Sequence, residues 1–264
     1  MPKSVLVTGG AKRLGRAIAL DLAAAGWDIL LHHHHSLEDA EQTQTELRAL
    51  GVQADLIACD LADSEAVEAL CDRITEAVPQ GLSALVNCAS YFVNDAALKP
   101  DPTLFHQAQA VNLLAPIRLG GALAAALIAQ QQQGSIVNLL DNKLKAINPD
   151  FFSYTLSKAG LAAATEMAAM AFAPHVRVNG VAPGLTLISG KQSQAAFDRA
   201  FGLTPLGRSS TPADIARSVR FLLESQTITG RIIVADGGAS LTALPRDVAF
   251  LPGIGETLPL VPTD

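Results

Sequence analysis

The chain has 264 residues, enough for one α/β domain to bury a full hydrophobic core. Hydrophobic residues make up 49% of it and charged residues 17%, which excludes a largely disordered polymer. The net charge is -6 and no dense Lys/Arg stripe appears, so a nucleic-acid surface is not expected.

Three cysteines, Cys59, Cys71 and Cys88, lack metal-ligand spacing and read as small, reduced apolar residues, so no metal is expected. Ser4–Thr8 reads as a strand rather than a signal core. The longest apolar stretch, Leu119–Ala129, is too short to span a bilayer. The expectation is a cytoplasmic protein with no membrane partner.

In chain order, short apolar runs predict strands at Ser4–Thr8, Asp28–Leu31, Gln53–Ala58, Ala84–Asn87, Ser135–Leu139, Val176–Val181 and Arg231–Ala235. Helical periodicity falls between them, as at Leu14–Ala25, Leu37–Leu50, Ser64–Val78 and Tyr154–Phe172. Repeated β–α order implies parallel strands joined by right-handed crossovers with helices on both faces. The expected fold class is therefore α/β, a doubly wound Rossmann-type parallel seven-stranded sheet in one domain over residues 1–243. Two segments depart from the pattern. Gly184–Pro212 is a long excursion placed to cover the crevice, and Leu244–Asp264, with four prolines, reads as an arm on another subunit or a loose tail.

Strand one runs into Thr8-Gly9-Gly10-Ala11-Lys12-Arg13-Leu14-Gly15 and then an Ala-rich helix. Glycines there allow a tight turn and let backbone N–H groups approach a pyrophosphate at the positive helix end. A ligand-free glycine turn is the plain alternative, but the position after the first strand of a βαβ unit favours a nucleotide held by Gly9, Arg13 and Leu14. NAD-preferring sites place an acid at the end of strand two. Here that end reads Leu31-His32-His33-His34-His35-Ser36, with nothing acidic to repel a 2′-phosphate. NADP(H) is therefore the expected cofactor, with His34, His35 and Ser36 at the phosphate and Arg13 able to approach it. A solvated loop without function is the alternative for His32 and His33. Four consecutive imidazoles do not converge on one metal ion.

Tyr154 and Lys158 are four apart at the opening of a helical segment, so both project to one face. A phenol has a reference pKa of about 10, and a nearby ammonium draws it toward the working range.

Along Val5 to Leu241 the sequence resembles the short-chain dehydrogenase/reductase superfamily. The resemblance is carried by Thr8-Gly9…Arg13-Leu14-Gly15, Asp60-Leu61, Asn87-Cys88-Ala89-Ser90, Asn112, Tyr154…Lys158, Pro183-Gly184 and Asp236-Gly237-Gly238. It implies a cofactor lined by Asp60, Leu61, Asn87, Ala89, Lys158, Pro183, Gly184 and Leu185, and Asn112 supporting a water chain to Lys158. It also implies a homotetramer built on the helices containing Val111–Ala129 and Tyr154–Phe172. Two departures narrow it: Arg13 replaces the middle glycine of the loop, and Asp141 replaces the serine expected before the tyrosine. With the histidine run and Ala89-Ser90-Tyr91-Phe92, these resemble pteridine reductases and dihydromonapterin reductases. That implies Phe92 stacking on a pterin, Arg13 touching cofactor phosphate and pterin, and Asp141 working with Tyr154 in proton delivery.

The chemistry fits the substitution, because reducing a C=N bond requires protonating a ring nitrogen, and a carboxylic acid is a better proton source than a serine hydroxyl. Phe92 reads equally as core packing. Asp141 reads alternatively as a cap beside the apparently solvated Asn142, Lys143 and Lys145. The expected activity is NADPH-dependent reduction of a small molecule, a dihydropterin or folate-like compound. The alternatives are reduction of a ketone or ketoacyl group, or a catalytically inactive NADP-binding sensor.

Overall fold

In a computed structural model the described residues are 3–188 and 193–251. Seven strands, β1 Lys3–Val7, β2 Trp27–His33, β3 Ala54–Ala58, β4 Leu82–Asn87, β5 Gly134–Leu139, β6 Val176–Pro183 and β7 Ile232–Ala235, form one sheet in the order β3-β2-β1-β4-β5-β6-β7. Every pairing is parallel. The strand order reverses between β1 and β4, and such a reversal opens a crevice at the carboxyl ends of the strands.

The helices are α1 Arg13–Ala24, α2 Leu37–Ala49, α3 Ser64–Ala77, α4 Pro102–Gln109, α5 Ala115–Ala129, α6 Phe152–Ala171, α7 Gln194–Gly202 and α8 Pro212–Glu224. Alternation along each strand sends neighbouring side chains to opposite faces. Val5 and Val7 join Ile18 and Leu22 of α1 and Ile215 and Val219 of α8 on one face. Leu6 joins Leu70 and Ile74 of α3 and Leu119, Leu123 and Leu127 of α5 on the other. All of these are essentially inaccessible to solvent. Fully burying one such side chain is worth about 1.5–3 kcal/mol.

The helix expected from Val111 begins differently. Residues Ala110–Leu114 form a π-helical turn that joins α4 to α5, making one run from Pro102 to Ala129. Among the described residues that run alone is long and apolar enough to cross a membrane, and half of its most apolar window is buried inside the protein, as in a core helix.

Three expectations change. The second strand extends past Leu31 through His32 and His33, which are buried rather than solvated. The excursion after β6 contains α7, with residues 189–192 lying outside the described part. The described part of the C-terminal segment, residues 244–251, is held against its own chain rather than loose. Arg246 pairs with Asp150 of the same chain, and residues 244 and 246–250 line the cleft of their own subunit. Residues 252–264 lie outside the described part.

Candidate active site

A cleft of about 1440 Å³ runs along the carboxyl ends of the strands. That exceeds the ~300–1,000 Å³ of a pocket for one small ligand and leaves room for two molecules side by side. At the crossing of β1 and β4, Thr8 Oγ1 accepts the backbone N–H groups of Cys88 (3.0 Å) and Ala89 (3.1 Å). Gly9 sits at φ +64, and a Cβ there would come within 2.9 Å of the Ala89 Cα. A Cβ on Gly15 would lie 2.0 Å from the Gly9 carbonyl oxygen. Both positions therefore demand glycine. Arg13, in place of the loop's middle glycine, keeps the left-handed backbone at φ +52. Its guanidinium donates to the Ile188 carbonyl (2.8 Å), bridging the phosphate loop to the segment after β6.

At the end of β2, His34 and His35 are exposed on the cleft wall with ring centroids 3.4 Å apart. The His34 Nε2 lies 3.7 Å from the Asp60 carboxylate, which also accepts the Ala62 N–H (2.9 Å). Ser36 stands at the start of α2 with no capping bond and does not line the cleft. Leu14, Leu61, Ala89, Pro183, Gly184 and Leu185 all line it. Asn87 does not: its amide donates to the Asn138 side chain (2.8 Å) inside the sheet.

The candidate catalytic centre lies where β5 ends and α6 begins. The Tyr154 hydroxyl donates to Asp141 Oδ2 at 2.7 Å. Asp141 Oδ1 accepts the Lys143 N–H at 2.8 Å, so the carboxylate caps a short turn and holds the phenol at once. The capping reading of Asp141 applies at Oδ1, while Oδ2 faces the phenol. Lys158 is buried and donates to the Leu139 carbonyl at 2.8 Å. Burial lowers its pKa to about 8, against a smaller upward pull from Asp141. The Tyr154 pKa moves opposite to expectation: burial raises it well above 10, and the Asp141 charge adds to the rise. Both effects favour the protonated phenol over the phenolate.

Asn112 is wholly buried off the cleft. Its side chain accepts the Tyr91 N–H (2.7 Å) and donates to the Tyr91 carbonyl (2.9 Å) and the Ser157 hydroxyl (3.0 Å). It ties the Tyr91–Phe92 loop to α6 through Ser157.

Phe92 is neither core nor free. Its ring lies 4.3 Å from Phe151 and nearly parallel to it, meets Tyr154 edge-on at 4.7 Å, and is 43% exposed. Phe151 in turn stacks on Phe250. Lys143 is not solvated as its charge suggested: it is buried, bonded to the Asp150 carbonyl and placed over the Phe151 ring. Burial lowers its pKa. Sequence reasoning also missed Asp150, Arg246 and Phe250, which approach the site through long-range contacts without a local signal, and His32, read there as a loop residue.

A dinucleotide-sized crevice at a strand-order reversal, with a glycine-shaped loop at one end and a buried Tyr–Lys pair at the other, defines an oxidoreductase of the doubly wound α/β class. The family model described as enoyl-(acyl carrier protein) reductase matches residues 9–240. The chain belongs to the short-chain dehydrogenase/reductase family. Among curated relatives, the 3-oxoacyl-(acyl-carrier-protein) reductase FabG of Staphylococcus aureus is 31% identical over 90% of this chain and 98% of the relative. Among solved structures, FolM alternative dihydrofolate reductase 1 from Brucella canis, complexed with NADP, is 37% identical with a TM-score of 0.86, covering 96% of this chain and 97% of that one. The Brucella suis counterpart, also with NADP, is 37% identical with a TM-score of 0.85, covering 91% and 96%.

Proposed function

We propose that this chain is an NADPH-dependent reductase of dihydropterins. The observation that carries the reading is the 2.7 Å hydrogen bond from the Tyr154 hydroxyl to Asp141, a carboxylate where carbonyl reductases of this family place a hydroxyl. The similarity to FolM reductases supports it.

The residues present fit the cofactor. Gly9 and Gly15 let the loop close tightly on Ala89 and on itself at the amino end of α1, where an anion is favoured. His34 and His35 offer imidazoles rather than an acid to the 2′-phosphate, with Ser36 beside them and Asp60 on the adenine side. Lys158 would hold the nicotinamide ribose. When bound, the reduced cofactor supplies a hydride to the carbon of the substrate C=N bond. Tyr154, kept protonated, delivers a proton to the adjacent nitrogen, so hydride and proton together saturate the bond. Asp141, half-buried at the cleft, is placed to replace the proton from solvent. The exposed part of Phe92 offers a face for a flat heterocycle by offset stacking, and Arg13 lies within the same cleft. The protein is proposed to act in the cytoplasm as a homotetramer.

One observation favours a second reading. The curated relatives named as 3-oxoacyl reductases make a ketoacyl substrate the rival. Purified protein should oxidise NADPH on addition of dihydrobiopterin, dihydromonapterin or dihydrofolate. Asp141→Ser should lower that turnover by about 10²–10⁴-fold, the usual contribution of a proton-transfer group. Absence of turnover with every pterin, or a variant that reduces ketones as well as or better than the parent, would replace the pterin reading with the carbonyl one.

A further inference from the structure

His32 sits at the penultimate position of β2 and is 2% exposed. Its Nδ1 accepts the Gly9 N–H at 3.0 Å. Its Nε2 faces the Cys59 carbonyl at 3.0 Å. A carbonyl can only accept, and a backbone N–H can only donate, so the two contacts together fix one tautomer: neutral, protonated at Nε2. The His32 backbone carbonyl also accepts the Gly10 N–H at 2.9 Å. One residue therefore occupies two successive N–H groups of the glycine turn and reaches across to the end of β3, where Asp60 and Leu61 follow. Burial lowers the imidazole pKa to about 4, and the neighbouring His33 and His34 push in the same direction, so the ring stays neutral at neutral pH.

We propose that His32 is a positioning residue of the cofactor site, a neutral imidazole strut that sets the phosphate loop at Gly9 against the adenosine wall at Cys59–Leu61. The proposal rests on the NADPH reading. It follows that Gly9 spends its N–H on the protein rather than on the cofactor. Any side chain that cannot accept at the Nδ1 position leaves the Gly9 N–H unpaired at a place where the turn has no slack.

The test compares three variants with the parent by calorimetric NADPH binding and by steady-state kinetics. His32→Leu should weaken NADPH binding by on the order of tenfold, the consequence of orphaning one buried donor. The KM for NADPH should rise with it, while kcat and the KM for dihydropterin stay within about twofold of the parent. His32→Asn places an amide oxygen near the Nδ1 position and should recover most of the loss, whereas His32→Gln, which reaches toward Cys59, should not. A merely structural role would lower the melting temperature of all three and leave NADPH affinity of the folded protein unchanged, and that result overturns the proposal. So does an imidazole nitrogen NMR spectrum of the parent protein at neutral pH showing Nδ1 protonated, a measurement that does not depend on any variant folding. Parent protein that fails to bind NADPH removes the cofactor reading and this inference together, whereas NADPH binding that is equal in parent and His32→Leu removes this inference alone.

Discussion

Tyr154 and Lys158 divide the proton chemistry differently from what their spacing suggested. Helical periodicity places both on one face, but the sense of each pKa shift comes from burial and from Asp141, which no local pattern reveals. Burial and Asp141 favour the protonated phenol, so the titration expected near neutral pH belongs to the ammonium of Lys158. Lys158 is charged below about pH 8 and neutral above it. On the proposed function, in which the charged form holds the ribose, the kcat/KM for NADPH should therefore fall as pH rises through about 8. Asp141 raises the Lys158 value, so Asp141→Asn should move that midpoint downward, which a pH–rate profile of the residual activity reads directly. Lys143 teaches the converse lesson at this scale. Two lysines in a four-residue turn looked solvated, yet Lys143 is buried with its ammonium over the Phe151 ring and bonded to a carbonyl, while Lys145 stays in water.

The elements were legible where apolar runs meet the sheet, and less so where polar residues are buried by distant partners. β2 gains two histidines because Gly9, Gly10 and Cys59 supply the partners that water would otherwise provide. The start of α6 was placed two residues late for a related reason. Its cap residue, Phe151, lies at φ +51 and offers no capping oxygen. The cap comes from the loop after β4: Asp95 accepts the Ser153 N–H at 2.8 Å and the Ser153 hydroxyl, and Asn94 accepts the Phe151 N–H at 2.9 Å. Asp95 is thus an N-cap supplied from 58 residues away, and it fixes the turn that carries Tyr154. Asp95→Ala should cost about 2 kcal/mol, the upper end for a capping residue, since buried donors are left behind. Chemical denaturation of parent and variant measures this, and kcat should fall with it as the first turn of α6 loosens.

At the scale of the whole molecule, the doubly wound sheet and its crevice follow from the alternation of runs, whereas the walls at the substrate end do not. Leu114, Ile117 and Ile128 are exposed on one side of the α5 run, and Leu156, Met167 and Met170 on one side of α6. Their spacings return to one helix face in each case. Size-exclusion chromatography with light scattering should give a four-chain mass, and Leu156→Asp combined with Met170→Asp should reduce it to a smaller species by placing charge on that face. The ring ladder Phe92–Phe151–Phe250 and the Arg246–Asp150 pair have a consequence for how the molecule is made. The phosphate loop, β2 and α6 are all synthesised before Arg246 and Phe250. In a growing chain Asp150 and Phe151 therefore wait for partners made far later, and this wall of the cleft closes only once they have emerged.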